Sequence, residues 1–284
     1  MRLVRVAVRG AALAAHLLLA AAALPYLRRA GGALSGGMTL DERFMLWWNR
    51  RACRVLGLRV RRSGALPLGP ALIVSNHVSW LEVIALGSVL PASFVAKSDV
   101  ASWPGIGAIA EGAGTLFLKR GSGRAAARAA ADAAARLGSG RSVALFPEGT
   151  STSGEAVLPF HAALFEAAAR VGCPVQPVSV FYPRGWGCDP VAPFIGDDDF
   201  ASHLLRVLGE PEIIVQLGFR APLEAHGRER EELRDDARAA VVAGLAEDRR
   251  GLCLLLHEPA DAWESPALAG FLRDEYRRTA VPAG

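Results

Sequence analysis

Residues 71–90 read ALIVSNHVSWLEVIALGSVL, and this stretch decides the fold class. Its first part, ALIVSN (71–76), is short, apolar and rich in branched side chains, which suits a buried strand. A histidine and a turn follow, and the pattern from about Trp80 to Leu90 predicts a helix. A buried strand running through a loop into a helix is the building unit of an α/β layer.

The unit recurs along the chain. SFVAK (93–97) and TLFLK (115–119) read as further strands, with a short helix expected around Trp103 to Glu111. GRAAARAAADAAARLGSG is Ala-rich with glycine just beyond its end, as helices are. SVALFPEG reads as strand then turn, PFHAALFEAAARVG as helix, and PVQPVSVFY and EIIVQLGF as later strands. REREELRDDARAAVVAGLAEDRR reads as a charged amphipathic helix. Upstream, MTLDERFMLWWNRRACRVLGL places Met38, Leu46, Trp47 and Val55 near helical spacing. The expected fold is α/β, a mixed, mostly parallel sheet flanked by helices.

Composition narrows the setting. Of 284 residues, 51% are hydrophobic and the mean hydropathy is +0.25, more apolar than a purely soluble enzyme needs. The net charge is only +4, yet Arg2, Arg5, Arg9, Arg28 and Arg29 all precede the first acidic residue, Asp41. Basic residues flanking an apolar run favour an anionic membrane surface over nucleic acid. A basic stripe interleaved with aromatics, which nucleic acid would want, is missing. The run between Arg9 and Arg28, GAALAAHLLLAAAALPYL, sits at the lower edge of a spanning length, and His16 and Pro25 weaken it. It reads as a membrane anchor or an interfacial helix in preference to a signal peptide. GGALSGG (31–37) follows as a joint. Cys53, Cys173, Cys188 and Cys253 are scattered without a Cys-x-x-Cys pair, which suits a reducing compartment.

Three places carry candidate chemistry. His77 follows the strand ALIVS, where ligand groups gather in α/β folds, and imidazole takes protons near neutrality. A histidine at a strand end is also commonly structural. Five helical residues rotate a side chain by about 140°, so Glu82 meets His77 only if the chain turns at Val78–Ser79. Ser79-x-x-Glu82 is equally a capping box, so Glu82 is either the partner of an imidazolium or a helix cap. FPEGTSTSG (146–154) is a rigid, hydroxyl-rich turn after a strand, able to present N–H groups to an oxyanion or phosphate. GTLFLKRGSGR (114–124) delivers Lys119, Arg120 and Arg124 to a Gly-rich loop suited to phosphate. GIGAIA (105–110) fits a dinucleotide fingerprint formally but follows SWP, not a strand, and is set aside. No Gly-x-Ser-x-Gly elbow and no metal-ligand spacing is present.

In order, NHVSWLE, GTLFLKR, FPEGT and CPVQPV resemble the four sequence blocks of the lysophospholipid acyltransferase family, which includes 1-acylglycerol-3-phosphate acyltransferases. The resemblance runs from about Leu72 to Phe219. It implies His77 as general base and Glu82 as its carboxylate partner. It implies Lys97, Arg120, Glu148, Gly149 and Thr150 at the acceptor, with Pro177 in the fourth block. From the residues, the expected division is 1–37 as membrane element and joint, which also suits the family, 38–250 as the acyltransferase domain, and 251–284 as a tail of unassigned role. The implied partners are a lysolipid acceptor, acyl-CoA or acyl carrier protein as donor, and the cytoplasmic face of the inner membrane; no cofactor or metal is implied. Two positions depart from the family pattern: Glu82 stands where aspartate is usual, and His161 follows Leu-Pro-Phe where lysine or arginine is common. STSGEAVLPF and GDDDFASHLLRVLG look somewhat like bacterial enzymes acting on lyso-ornithine lipid. A non-catalytic lipid-binding relative is the alternative of another class.

Overall fold

The computed structural model describes residues 1–29, 38–103, 106–119, 123–185 and 187–256. Its nine strands are β1 (Leu58–Ser63), β2 (Leu72–Ser75), β3 (Ser93–Lys97), β4 (Leu116–Leu118), β5 (Val143–Leu145), β6 (Val175–Phe181), β7 (Pro183–Arg184), β8 (Gly187–Cys188) and β9 (Ile213–Phe219). Its helices are α1 (Arg2–Arg29), α2 (Leu40–Leu56), α3 (Leu81–Val89), α4 (Ile106–Gly112), α5 (Gly123–Gly138), α6 (Glu166–Val171), α7 (Phe200–Gly209) and α8 (Arg230–Leu256). Seven strands form one sheet in the order β1-β9-β6-β2-β5-β3-β4, and β7 pairs with β8 in a small ribbon.

β2 lies at the centre because its four residues are all buried and feed both faces of the sheet. Leu72 and Val74 point into one core with α5, α6 and α8, while Ile73 points into the other with α2, α3 and α7. β5 alternates in the same way, with Val143 and Leu145 on one face and Ala144 on the other. Burial on both faces explains why these strands read as unbroken apolar runs. β2, β3, β4, β5 and β6 run parallel, whereas β9 is antiparallel to β6 and parallel to the edge strand β1. The mostly parallel sheet is as expected. β1 went unread because LRVRRS carries three arginines, an exposed edge pattern that lacks the apolar signal.

α1 is built into the body. Its inward positions recur near every three or four residues (Val6, Leu13, His16, Leu17, Ala20, Leu24), and its outward face from Leu3 to Tyr26 carries no charge. His16 and Trp48 form a reciprocal clip with α2: His16 Nε2 lies 3.0 Å from the Trp48 carbonyl, and Trp48 Nε1 donates to the His16 carbonyl at 3.1 Å. Arg5 donates to the Gly209 carbonyl at 2.6 Å, and Arg9 donates to the carbonyls of Glu210 (2.6 Å) and Pro211 (3.0 Å). These two arginines, read above as facing anionic lipid, instead satisfy orphan carbonyls at the C-terminal end of α7, where cations are favoured. α2 and α3 approach closely at Gly87, where an added Cβ would lie 2.5 Å from the Asn49 amide. Residues 30–37 and 257–284, which hold the expected joint and most of the expected tail, lie outside the described residues.

Candidate active site

Five parallel strands end on one edge of the sheet, and that edge gathers the candidate residues. β2 leads into His77, β5 into the Phe146–Gly154 loop, β3 ends on Lys97, β4 precedes Lys119, and β6 leads into Tyr182. Loops at the carboxyl ends of parallel strands are the usual ligand position in open α/β sheets.

The turn at Val78–Ser79 does bring Glu82 back to His77. His77 Nδ1 lies 2.6 Å from Glu82 Oε1. The carboxylate, wholly buried, also accepts the Val78 N–H at 2.7 Å, the Ser79 N–H on both oxygens at 2.9 and 2.8 Å, and the Tyr182 hydroxyl on Oε2 at 2.6 Å. An ionised carboxylate only accepts, so Nδ1 is the donor in this bond, and the neutral form of such an imidazole has its lone pair on Nε2. Glu82 makes both sets of contacts at once: it takes the Ser79 N–H, half of a capping box, and the same carboxylate bonds the imidazole. The other half is absent, since the buried Ser79 hydroxyl makes no hydrogen bond among the described residues.

The FPEGTSTSG loop holds His77 by its backbone. Glu148 Oε1 accepts the His77 N–H at 2.6 Å and Oε2 accepts the Leu158 N–H at 2.7 Å. The His77 carbonyl accepts from Thr152 N at 2.8 Å and Thr152 Oγ1 at 3.2 Å, and Phe146 stacks on the imidazole at 4.3 Å. Asn76 pairs its amide with both backbone groups of Val180, at 2.9 and 2.7 Å, which ends β2 cleanly against β6. Gly149 adopts a left-handed φ of 70°, which lets the loop turn after Glu148.

Burial pushes the Glu148 carboxyl up to about 8, against the N–H bonds from Leu158 and His77 that pull it down. A raised folded-state value means the native protein holds this proton more tightly than the unfolded chain. The stability so gained is full below the ordinary value and is lost as pH rises through about 8. Thermal unfolding followed between pH 7 and 8.5, on this basis, shows the melting temperature falling in the wild type and a flatter profile in Glu148→Gln. Parallel profiles would contradict the assignment. His203, whose burial lowers its imidazole, is neutral across this window.

A cavity of about 1350 Å³ opens beside the pair. His77, Lys97, Lys119, Glu148, Gly149 and Thr150 line it at the polar end, and helices α1 to α4 supply apolar walls through residues such as Leu17, Met45, Val83 and Ile109. Glu82 is not among the lining residues, so the imidazole alone faces the cavity while its carboxylate stays dry. Trp80 forms part of the wall, and its indole N–H donates to His203 Nδ1 at 3.0 Å. Arg141 also lines the cavity but is paired with Asp41 at 3.0 Å. Arg120 lies outside the described residues. Tyr182 and the α1 residues went unnoticed in the sequence: Tyr182 is 100 residues from its partner and looks like any strand-end aromatic.

The acyltransferase family model matches residues 57–181. A lyso-ornithine lipid O-acyltransferase from Pseudomonas aeruginosa is 42% identical over 208 residues, 72% of this chain and 80% of its own. Its counterpart in Rhizobium meliloti is 38% identical, over 65% of this chain and 68% of its own. A 1-acyl-sn-glycerol-3-phosphate acyltransferase from Neisseria gonorrhoeae is 32% identical, over 68% of this chain and 76% of its own. Among solved structures, a 1-acyl-sn-glycerophosphate acyltransferase from Thermotoga maritima aligns with a TM-score of 0.56 and 24% identity, over 73% of this chain and 79% of that one, which supports the fold.

Proposed function

The chain belongs to the lysophospholipid acyltransferase family, and from that premise we propose that it moves a fatty acyl group from a thioester to the free hydroxyl of a lysolipid. One observation carries the reading: an imidazole bonded to a buried carboxylate, on a residue that lines a large, mostly apolar cavity. His77 Nε2 takes the hydroxyl proton as the oxygen attacks the thioester carbonyl. Glu82 stabilises the imidazolium, the C–S bond breaks, and the proton passes to the departing thiolate. The donor is acyl-CoA or acyl carrier protein, and no acyl-enzyme forms. The cavity exceeds the roughly 300–1,000 Å³ of a small-molecule site, which suits substrates carrying long chains.

For the acceptor, 1-acylglycerol-3-phosphate is supported by Lys97 and Lys119, two cations among the cavity-lining residues that also include Gly149 and Thr150. A second reading, lyso-ornithine lipid, is favoured by the 42% and 38% identical relatives of that activity. Purified protein given an acyl thioester and a panel of lysolipids distinguishes them. Transfer to the glycerophosphate acceptor supports the first and transfer to lyso-ornithine lipid the second, while no transfer to any acceptor removes both.

The setting we propose is the cytoplasmic face of the inner membrane. α1 is 28 residues, or about 42 Å, and is long and apolar enough to cross a bilayer. Its inner face is committed to α2, α4 and α7, so we place it along the membrane surface with the uncharged outer face in lipid. Leu13 and Leu17 on the inner face then form cavity wall directly behind the lipid-facing side chains Leu18 and Leu19, which brings the acceptor's cavity to the edge of the apolar phase. Residues 38–250 carry the chemistry.

A further inference from the structure

We propose that Tyr182 is a positioning residue that fits a glutamate, in place of a shorter acid, to the task of orienting His77. This rests on the acyl-transfer reading above. Glu82 folds back over the first turn of α3, where the Ser79 N–H contacts both of its oxygens almost equally, at 2.9 and 2.8 Å. That near-symmetric contact fixes the distance of the carboxylate from the turn but leaves its tilt free. The Tyr182 hydroxyl, 2.6 Å from Oε2, ties down the oxygen remote from the imidazole. Oε1 is thereby left at 2.6 Å from Nδ1, with the Val78 N–H on its other side.

Tyr182 suits this role. It is almost fully buried, is seated just beyond β6 among the apolar side chains under α3, and is held by a 2.7 Å bond from Asp189 N to its carbonyl. Neither Tyr182 nor Glu82 lines the cavity, so the phenol supplies the hydrogen bond that solvent would otherwise give to Oε2. Burial and the neighbouring carboxylate hold the phenol well above its ordinary pKa, so it stays a donor at every working pH. An aspartate at position 82 would withdraw its carboxylate by about 1.5 Å, out of reach of the phenol. The tyrosine and the glutamate's extra methylene therefore act as one device.

Four proteins test this: wild type, Tyr182→Phe, Glu82→Asp and the double variant, each checked by thermal unfolding and assayed with an acyl thioester and the accepted lysolipid. In the wild-type background, losing a hydrogen bond to a charged group that aims the base lowers kcat about tenfold to a hundredfold, with KM changed less than about twofold. In the Glu82→Asp background the same substitution changes kcat less than about threefold, because the bond is already gone. The double variant also draws the carboxylate back from the phenylalanine edge, so it remains informative if Tyr182→Phe alone unfolds. Equal losses in both backgrounds, or an unchanged kcat in Tyr182→Phe, overturn the proposal while leaving the acyl-transfer reading intact. A wild type that acylates no lysolipid removes that reading and this inference together.

Discussion

His77→Ala is expected to lower turnover by about 10³-fold or more, the upper part of the range for a positioned general base, while lysolipid binding persists. The folded structure supports so clean a separation. The backbone bonds of residue 77, to Glu148 through N–H and from Thr152 through the carbonyl, do not involve the side chain. Glu82 keeps the Val78 and Ser79 N–H groups and the Tyr182 hydroxyl, so no buried charge is stranded. What is lost in stability is chiefly the stack on Phe146, about 1 kcal/mol. Initial rates, a melting curve and a lysolipid titration on the two proteins suffice. Equal activity in wild type and variant would refute the general-base role and favour a lipid-binding relative without catalysis.

Glu82→Gln is the second large effect, a fall of about 10²- to 10³-fold, set against a stability cost near 1 kcal/mol. An amide has one acceptor oxygen where the carboxylate has two. If the NH₂ takes the Oε1 place, it confronts the Val78 N–H, and Nδ1 must give up its proton to accept. If it takes the Oε2 place, the Tyr182 hydroxyl rotates to accept from it, and the remaining oxygen still holds Val78, Ser79 and Nδ1. The second arrangement keeps the fold and the tautomer but removes the negative charge that stabilises imidazolium. Activity therefore falls much further than stability. A cap alone would make the substitution nearly silent in both measurements, which would exclude Glu82 from the reaction.

The sequence made the strand–loop–helix frame legible because β2, β5 and β6 are buried on both faces and announce themselves as apolar runs. His77, Glu82 and Glu148 were legible because each follows such a run by a few residues. Lys97 and Thr150 were named at the acceptor, and the structure places both on the cavity wall. Less visible was whatever depends on distant chain segments meeting. Tyr182 reaches Glu82 across the sheet, and Leu13 reaches the cavity from α1. Arg5 and Arg9 of α1 belong to a charge pattern that membrane attraction and helix-end capping would both produce. Geometry alone separates the two. Glu148 lines the cavity and also holds the backbone of His77 and Leu158 with its two oxygens, and that second role had no signal in the sequence.

The clasp between α1 and α7 also sets an order of events during synthesis. Arg5 and its acceptor Gly209 are separated by 204 positions in the chain. At ribosomal speeds of about 5–20 residues per second, roughly 10–40 s pass between the emergence of the two. During that interval α1 gains α2 and then α4, but it lacks α7 and the carbonyls its arginines will bind until the end. The clasp that fixes the first turns of α1 is therefore among the last contacts the growing chain can make.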